Sequence, residues 1–491
     1  MLNARVTYVK RLTHLCSSKR FPDMNEIDMY GGNAQINPSA TQAIQNNYFG
    51  TPVPLHETAS ARTVVVLGAG VDAAIGFSAP CSLVPKITEW LETEEGKAVD
   101  AALHKRLKGL RFSYAKFVDN AIERLAHDLD RERETICGNI SRELEQNDRL
   151  DEGQRKMGQL IVRLFHKITE VKAGAAIDEE TEALIREVTG IDPTEETIID
   201  FSHVSYTKTF EGIIKYILQT SLHDTENPIL RHVYTNLLDI GQLLAQHFYG
   251  FFANKQSEIK TYLYIAWTLW AYLVHEEQTL AVPNENGPAF PVYGQLRGKA
   301  QILVITFNYT TLAASASPTA IYFNGNLTGY VDIENKNDLQ VEDLPALDLA
   351  RFFQDRLAGE LSLEGDRIAL PIPSFMPPLK LKPVITGKYV TTWYRTAEAL
   401  AHAKRILVLG HSLRGGDAFF NDMLRANRLA DILVIARDME AACKDICATL
   451  QQPANRYTPI TIQGYPARKY DNRITVIGAD LAEIDLREWL E

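Results

Sequence analysis

The sequence predicts an α/β protein with a doubly wound, mostly parallel sheet and a large helical insertion between its first and second strands. Short segments rich in Val, Ile and Leu have the composition of buried parallel strands, and each is followed by turn residues. They cover residues 63–67, 302–306, 320–324, 405–410, 431–436 and 474–478. Helical patterns separate most of these segments, which is the order that produces a parallel sheet covered on both faces.

The distribution of the patterns divides the chain into three regions. Residues 1–60 are largely polar and rich in Asn, Gln, Pro and Gly, which predicts an irregular lead-in. Residues 61–90 and 300–491 carry the strand patterns, so we expect them to form the sheet domain together. Residues 91–299 show helical periodicity, which predicts an inserted helical lobe. Within this lobe, residues 261–274 are too short an apolar run to cross a bilayer and indicate a buried helix.

Charge and cysteine content narrow the class of protein. The net charge of −11 argues against broad electrostatic binding to nucleic acid or to an anionic membrane surface. The five cysteines form an odd, scattered set, which indicates free thiols in a reducing compartment, and we expect a cytoplasmic protein. Cys443 and Cys447 lie one helical turn apart and fit two core thiols better than a metal site. Because no paired CxxC motifs occur, we expect no zinc ribbon and no metal.

The turn after the first strand, Gly68-Ala69-Gly70, is the strongest indication of a ligand site. Its glycines let the backbone approach a ligand, and a following helix aims N–H groups and the positive end of its dipole at a phosphate. The next glycine, Gly76, comes six residues after Gly70, so the spacing differs from the usual dinucleotide fingerprint. Asp72 fits either a helix cap or a residue beside the ligand, where its charge would repel a diphosphate.

Three later strand ends also carry polar residues and would meet the glycine turn at the carboxyl edge of a parallel sheet. They are Thr306-Phe307-Asn308, Asn324-Gly325-Asn326 and Gly410-His411-Ser412, the last followed by Asp417. The first and the last of these also have structural alternatives. Asn308 could close its strand through an Asx-turn, His411 could be a packed ring, and Asp417 could cap the next helix.

In this order, the four strand ends resemble the motifs of the sirtuin-like family. The Gly-Ala-Gly turn with Gly76 is similar to the family's pyrophosphate loop, and Thr306-x-Asn308 is similar to its Thr-x-Asn motif. Asn324 stands where the family has a histidine. The resemblance covers about residues 63–90 and 300–480 and implies a Rossmann-like fold. The long helical insertion and missing zinc ribbon resemble the bacterial anti-phage branch, whose members typically hydrolyse NAD.

The resemblance implies that NAD is the substrate or ligand and that the products are nicotinamide and ADP-ribose. It implies catalytic roles for Asn308, which would orient the nicotinamide ribose and a water, and for Asn324, which would hold the ribose. The implied cofactor-binding residues are Gly68, Ala69, Gly70, Asp72, Gly76, Thr306, Asn308, Gly410, His411, Ser412 and Asp417. The backbone N–H groups of the first three would hold the pyrophosphate. It also implies a homo-oligomer or a partner protein bound through the helical lobe, and a role in defence.

The asparagine at position 324 is the main departure from the family. An amide holds a hydroxyl group or a water but does not take a proton near neutral pH. Deacylation relies on the missing base, whereas NAD hydrolysis releases neutral nicotinamide, so that orientation and electrostatic stabilisation can carry much of the barrier. The sequence leaves open a slow NADase and a protein that only binds nucleotide.

Two alternative functions follow from the same residues. One is a catalytically impaired nucleotide-sensing or scaffolding subunit of a defence complex, which uses the helical lobe for protein contacts. The other is a serine hydrolase built on Gly410-His411-Ser412, which resembles a nucleophile elbow. That motif needs a glycine where the chain has Arg414, and no histidine follows His411 to complete a triad.

Overall fold

The computed structural model describes residues 63–490 with internal gaps, and everything below concerns these residues. The gaps are 79–81, 115, 118–119, 121–128, 172–177, 194–198, 201–204, 207, 225–226, 239, 253–254, 281–290, 336, 342, 364–367, 378, 380–381, 383–386 and 414–416. The predicted lead-in, residues 1–60, lies outside the described residues. The predicted division into a sheet domain and an inserted lobe stays a prediction.

An eight-stranded sheet forms the centre of the α/β fold, in the order β11-β12-β13-β10-β9-β1-β4-β5. All pairs from β13 to β5 are parallel, and β11 and β12 add an antiparallel edge. The strands are β1 Thr63–Leu67, β4 Ile302–Thr306, β5 Ile321–Tyr322, β9 Arg405–Leu409, β10 Asp431–Ala436, β11 Thr458–Ile462, β12 Tyr465–Tyr470 and β13 Ile474–Gly478. This arrangement confirms the predicted fold class.

Both faces of the sheet are covered, because alternate residues of each strand enter different cores. On β1, Val64 and Val66 belong to one core, whereas Val65 and Leu67 belong to the other. The first core includes side chains of α15 Gly387–His402, α16 Ala418–Ala426 and α17 Met439–Leu450. The second core includes side chains of α11 Pro291–Leu296, α12 Leu312–Ala316 and α18 Arg487–Leu490. Such two-sided burial explains why the central strands are continuous apolar runs.

The long connection from β1 to β4 is largely helical. It begins with the short helix α1 Ala69–Ala73 and includes a small antiparallel pair, β2 Ile199–Asp200 and β3 Ser205–Tyr206. The other helices are α2 Leu83–Trp90, α3 Glu94–Arg106, α4 Leu129–Gln146, α5 Glu152–Val171, α6 Glu179–Thr189, α7 Lys208–His223, α8 Pro228–Leu237, α9 Ile240–Phe252 and α10 Gln256–Thr279. Thr93, Asp178 and Asn227 cap the N-termini of α3, α6 and α8 by accepting backbone N–H groups.

Helix α10 is the centre of the helical part and confirms the predicted buried helix. Every residue from Thr261 to Val274 is buried. The side-chain N–H groups of Trp267 and Trp270 donate to the carbonyl oxygens of Pro371 and Leu327, at 2.9 Å each. None of the described helices is long and apolar enough to cross a membrane.

A second, three-stranded antiparallel sheet packs against α10 and shares its core. It consists of β6 Gly325–Asp332 between β7 Asn337–Gln340 and β8 Pro371–Phe375. After β7 the chain forms a short 3-10 turn, Leu344–Ala346, and then a helix with a π-helical centre. This helix consists of α13 Leu349–Arg351, the π segment Phe352–Leu357 and α14 Ala358–Glu360. The sequence did not predict this sheet. The predicted strand 320–324 is also shorter than expected, because Asn324 lies in the turn that leads into β6.

Candidate functional site

The glycine turn after β1 lies at the topological switch point of the large sheet. From β1 the chain continues to β4 and β5 on one side, and it later crosses to β9, β10 and β13 on the other. Loops diverge at such a point and leave a crevice at the carboxyl ends of the strands, where α/β proteins bind their ligands. The loops after β1, β4 and β9 meet at this crevice.

The turns after β1 and β9 are in close backbone contact, which explains why both turns contain glycine. A Cβ at Gly68 would lie 2.5 Å from the Cα of His411, and a Cβ at Gly70 would lie 2.9 Å from the Cα of Gly410. Gly410 itself has a φ of 61° and faces the backbone nitrogen of Val71. These glycines therefore join two turns of the protein to each other.

The same contact uses two of the N–H groups that were expected to hold a phosphate. The N–H of Gly68 donates to the carbonyl oxygen of Leu409, and that of Gly70 donates to the carbonyl oxygen of Gly410, both at 2.9 Å. This corrects the expectation of three N–H donors at the turn. Ala69, between them, is the exposed residue of the turn. Because α1 has only five residues, its dipole is also smaller than expected.

Two neighbouring cavities flank the contact between the turns. The first has a volume of about 390 Å³ and the second about 310 Å³. Gly70, Gly410, His411 and Ser412 line both. The first cavity is further lined by Ala69, Asp72, Phe77, Ser78, Leu83, Leu273, Phe307, Asn308, Tyr309, Asn324, Lys382 and Asp417. The second extends past the ends of β10 and β13 to Arg437, Asp438 and Asp480.

Asn308 is fixed in the first cavity by contacts with the neighbouring strand end. Its side-chain Nδ2 donates to the carbonyl oxygen of Gly68 at 3.1 Å and to the hydroxyl of Tyr293 at 3.4 Å. The hydroxyl of Thr306 accepts the backbone N–H of Asn308 at 3.1 Å. The side chain therefore reaches across the sheet instead of forming the Asx-turn considered from the sequence. Since a carbonyl only accepts, Nδ2 must face Gly68, which leaves Oδ1 as the atom that can face a ligand.

Asn324 lines the same cavity and has a buried side-chain oxygen. Its side chain is 5% exposed, and Oδ1 has no hydrogen-bond partner in the part of the chain that the structure describes. Its backbone carbonyl accepts the N–H of Met376 at 2.6 Å, and the following Gly325 lets β6 approach β8. A buried acceptor left without a donor is destabilising unless a ligand or water supplies one. The Oδ1 of Asn324 is therefore an unsatisfied acceptor in a residue that lines the cavity.

Asp72 is a buried residue that lines the first cavity, and its carboxylate accepts hydrogen bonds from two hydroxyl groups. Its two oxygens accept the hydroxyl groups of Tyr293 and of Thr310, the latter at 2.8 Å. Burial raises the pKa of Asp72 to about 6, and hydrogen bonds from Tyr293, Thr310 and Asn308 limit this rise. The helix cap considered from the sequence is wrong, because Gly68 is the N-cap of α1 and the carboxylate faces side chains.

His411, Asp417 and Lys382 form an ion-paired group on another wall of the cavity. Nδ1 of His411 accepts the N–H of Leu413 at 3.0 Å, and Nε2 lies 3.2 Å from Asp417. Lys382 lies 3.4 Å from the other oxygen of Asp417. Burial opposes ionisation of Asp417, but the hydrogen bond from His411 and the charge of Lys382 outweigh it and hold its pKa below the usual value. Asp417 is the N-cap residue of α16, as considered from the sequence, but its side chain makes no capping hydrogen bond.

Helix α10 forms the remaining wall and connects the helical part to the site. Leu273 of α10 lines the cavity beside Leu83 of α2. Glu276 of α10 accepts the backbone N–H of Ser78 at 3.1 Å and also accepts its hydroxyl. Ser78 follows the glycine turn by a few residues and lines the cavity. The helical insertion therefore forms part of the wall of this cavity.

The structure brings most of the predicted site residues together at the first cavity. Those that line it are Ala69, Gly70, Asp72, Asn308, Asn324, Gly410, His411, Ser412 and Asp417. Gly68 and Thr306 lie beneath it, and Gly76, with a φ of 98°, closes the turn after α1 and lines neither cavity. Sequence reasoning missed Lys382 and Tyr293. Neither belongs to a motif, although Tyr293 lies within the region 91–299 for which the sequence predicted helices.

The comparisons with known proteins show only a distant structural similarity. No family model matches the chain, and no curated protein matches it. Among solved structures, the chain is similar to one described as a Sir2 homolog–NAD complex, with 19% sequence identity and a TM-score of 0.26. The match covers 38% of this chain and 65% of that one. The fold class therefore rests on the strand order and register described above. The described residues contain no cluster of three or more His, Cys, Asp or Glu side chains suited to a metal ion.

Proposed function

We propose that the two cavities bind NAD or a related ADP-ribose ligand and that the protein hydrolyses NAD to nicotinamide and ADP-ribose. The observation that carries the proposal is the pair of adjoining cavities at the switch point of the sheet. The first is lined by Asn308 and by Asn324, whose Oδ1 has no hydrogen-bond partner among the described residues. A ribose hydroxyl is the kind of donor that this oxygen lacks. The adjoining cavities, which share Gly70 and Gly410, suit a ligand of two linked parts.

The proposed roles follow from which groups are exposed to the crevice. The exposed turn residue Ala69 would offer its N–H to the diphosphate, with Gly70 and Gly410 allowing close approach. Ser412, which lines both cavities, would lie on the adenosine side. Asn308 would orient the nicotinamide ribose and the attacking water with Oδ1. Because these groups are held by backbone contacts, the site is preorganised for positioning, which is what an easily cleaved glycosidic bond requires.

A sensing or scaffolding function is the second candidate. The observation in its favour is the amide at position 324, which accepts a hydrogen bond but does not take a proton. In that case the protein would bind NAD or ADP-ribose without turnover. The serine hydrolase alternative lacks support, because both ring nitrogens of His411 are engaged by Leu413 and Asp417 and are not directed at Ser412.

The biological setting is part of the proposal. Following the resemblance to the anti-phage branch, we propose that NAD hydrolysis serves defence, in the cytoplasm and in an oligomer or with a partner protein. Overexpression of an NADase should lower cellular NAD and slow growth, whereas overexpression of a sensor should do neither.

Nicotinamide release and ligand binding test the proposed function. The full-length protein, Asn308→Ala and Asn326→Ala would be assayed for nicotinamide release from NAD and for ADP-ribose binding by calorimetry. Asn326 is the matched control, because it bonds to Thr328 and lines neither cavity. We expect release by the wild type and by Asn326→Ala and loss of release in Asn308→Ala. Equal release from the wild type and Asn308→Ala would contradict the catalytic assignment, and binding without release would favour the sensor.

A further inference from the structure

The first cavity contains five titratable side chains, and four of them are committed to other contacts. They are Asp72, Tyr309, Lys382, His411 and Asp417. The hydroxyl of Tyr309 donates to the carbonyl oxygen of Met376 at 2.6 Å, and burial raises its pKa above the usual value. Lys382 and His411 are each paired with Asp417. Asp72 accepts hydrogen bonds from Tyr293 and Thr310 but has no cationic partner among the described residues, so it is the carboxylate of this group that can take a proton from a cavity occupant.

We propose that Asp72 is the general base of NAD hydrolysis and takes the place of the base that Asn324 does not supply. This inference rests on the proposed function. A water adds to C1′ of the nicotinamide ribose, and the bond between C1′ and the ring nitrogen breaks. The bonding electrons leave with neutral nicotinamide, and a proton of the water passes to a carboxylate oxygen of Asp72. The proton is later released to solvent, so atoms and charge balance.

The surroundings of Asp72 hold the carboxylate in position and set its basicity. Tyr293 of α11 and Thr310 of the loop after β4 each occupy one oxygen, and each oxygen of a carboxylate has a second acceptor site. Asn308 lines the same cavity, and its amide lowers the pKa of Asp72. A water held by the Oδ1 of Asn308 would therefore have a proton acceptor within the same wall of the cavity.

The other polar groups near Asp72 define the expected pH dependence. Burial raises the pKa of Glu277 of α10 and of Tyr322 of β5. The negative charge of Asp72 raises both pKa values further. Lys382 and Asp417 form their ion pair across the cavity. The raised pKa of Asp72, about 6, lies where a general base is effective near neutral pH. The hydrolysis rate should thus fall with acidity below about pH 6.

The decisive experiment is the pH profile of nicotinamide release for the wild type, Asp72→Asn and Asp332→Asn, with ADP-ribose binding measured in parallel. We expect Asp72→Asn to lose about 100-fold or more in rate while it retains ADP-ribose binding. Asp332→Asn is the matched control, because it also removes a buried carboxylate that accepts hydrogen bonds but lines neither cavity, and its rate should stay within about threefold of the wild type.

Two further variants separate a catalytic role from a structural one. In Asp72→Ala, added formate should restore part of the rate. In Tyr293→Phe, loss of a donor to the carboxylate should raise the pKa of Asp72 and move the acid limb of the profile to higher pH. A profile without an acid limb, an unshifted limb in Tyr293→Phe, or an Asp72→Asn rate within about threefold of the wild type would overturn the proposal for Asp72 alone. Absence of nicotinamide release from the wild type would instead contradict the proposed function itself.

Discussion

The backbone N–H of Gly70 donates to the carbonyl oxygen of Gly410 at 2.9 Å, which joins the turns after β1 and β9. The two strands are neighbours in the sheet, so the bond continues their pairing beyond the strand ends. It also creates the ridge between the two cavities, because both glycines line each of them. The site is therefore built on a contact of two backbones, with side chains arranged around it.

Gly410→Ala should destabilise the protein by more than an ordinary substitution of a glycine with positive φ. A Cβ at Gly410 would lie 2.7 Å from the nitrogen of Val71, and its φ of 61° is itself unfavourable for alanine. We expect a loss of about 3 kcal/mol or more in the free energy of unfolding, measured by urea denaturation. Gly190→Ala is the control, since Gly190 has a φ of 69° with open space around it and should lose only about 1 kcal/mol. Equal losses would show that the close approach is unimportant.

Asn324→Ala and Asn308→Ala should change stability in different ways. Removing the unpartnered Oδ1 of Asn324 should leave the free energy of unfolding without ligand unchanged or raise it by about 1 kcal/mol. Removing Nδ2 of Asn308 breaks its bond to the buried carbonyl of Gly68 and should lower that free energy by about 1–2 kcal/mol. Chemical denaturation and ADP-ribose titration would both be measured. If Asn324→Ala is destabilised and binds ADP-ribose as the wild type does, its oxygen has a structural partner and no ligand role.

The sequence predicted the central sheet well because its strands are buried on both faces. The predicted segments 302–306, 431–436 and 474–478 coincide with β4, β10 and β13. The edge strand β11 is mostly exposed, so it lacks a continuous apolar run, and β8 contains two prolines that argued against a strand. Local patterns cannot reveal these strands, since tertiary contacts determine them.

The site was predicted in outline for the same reason. Residues at the ends of buried strands, such as Asn308 and His411, are placed by the sheet itself, so their order in the chain was sufficient to bring them together. Lys382 lies between β8 and α15 without a surrounding motif, and only the folded structure shows it beside Asp417. The use of the N–H groups of Gly68 and Gly70 was likewise invisible, because it depends on the register between β1 and β9.

The ion pair of Lys382 and Asp417 should show strong coupling in a double-mutant cycle. The side chain of Lys382 is 6% exposed. Its removal leaves the largely buried carboxylate of Asp417 without the positive charge of the ammonium group. We expect Lys382→Met to lower the free energy of unfolding by about 2–3 kcal/mol and Lys382→Met combined with Asp417→Asn to recover much of this loss. Urea denaturation at pH 7 would measure both. Additive losses in the double variant would show that the two side chains are not coupled.

Asp72→Asn should stabilise the protein at neutral pH while it abolishes hydrolysis. Burial raises the pKa of Asp72 from 3.8 to about 6, so the native state binds this proton more tightly than the unfolded chain does. The resulting stability is present below pH 3.8 and is lost as the pH rises through about 6, which amounts to about 3 kcal/mol. The advantage of Asp72→Asn over the wild type should therefore grow between pH 4 and pH 7, reduced by the loss of one acceptor for Tyr293 or Thr310. Urea denaturation across this range measures this difference in the free energy of unfolding.

Asp485→Asn is the control of opposite sign. Hydrogen bonds from Arg487 hold the pKa of Asp485 at about 2, so the stability that Asp485 contributes is present above the unfolded pKa and lost on acidification. A difference between Asp72→Asn and the wild type that does not vary with pH would contradict the buried, proton-binding state assigned to this carboxylate.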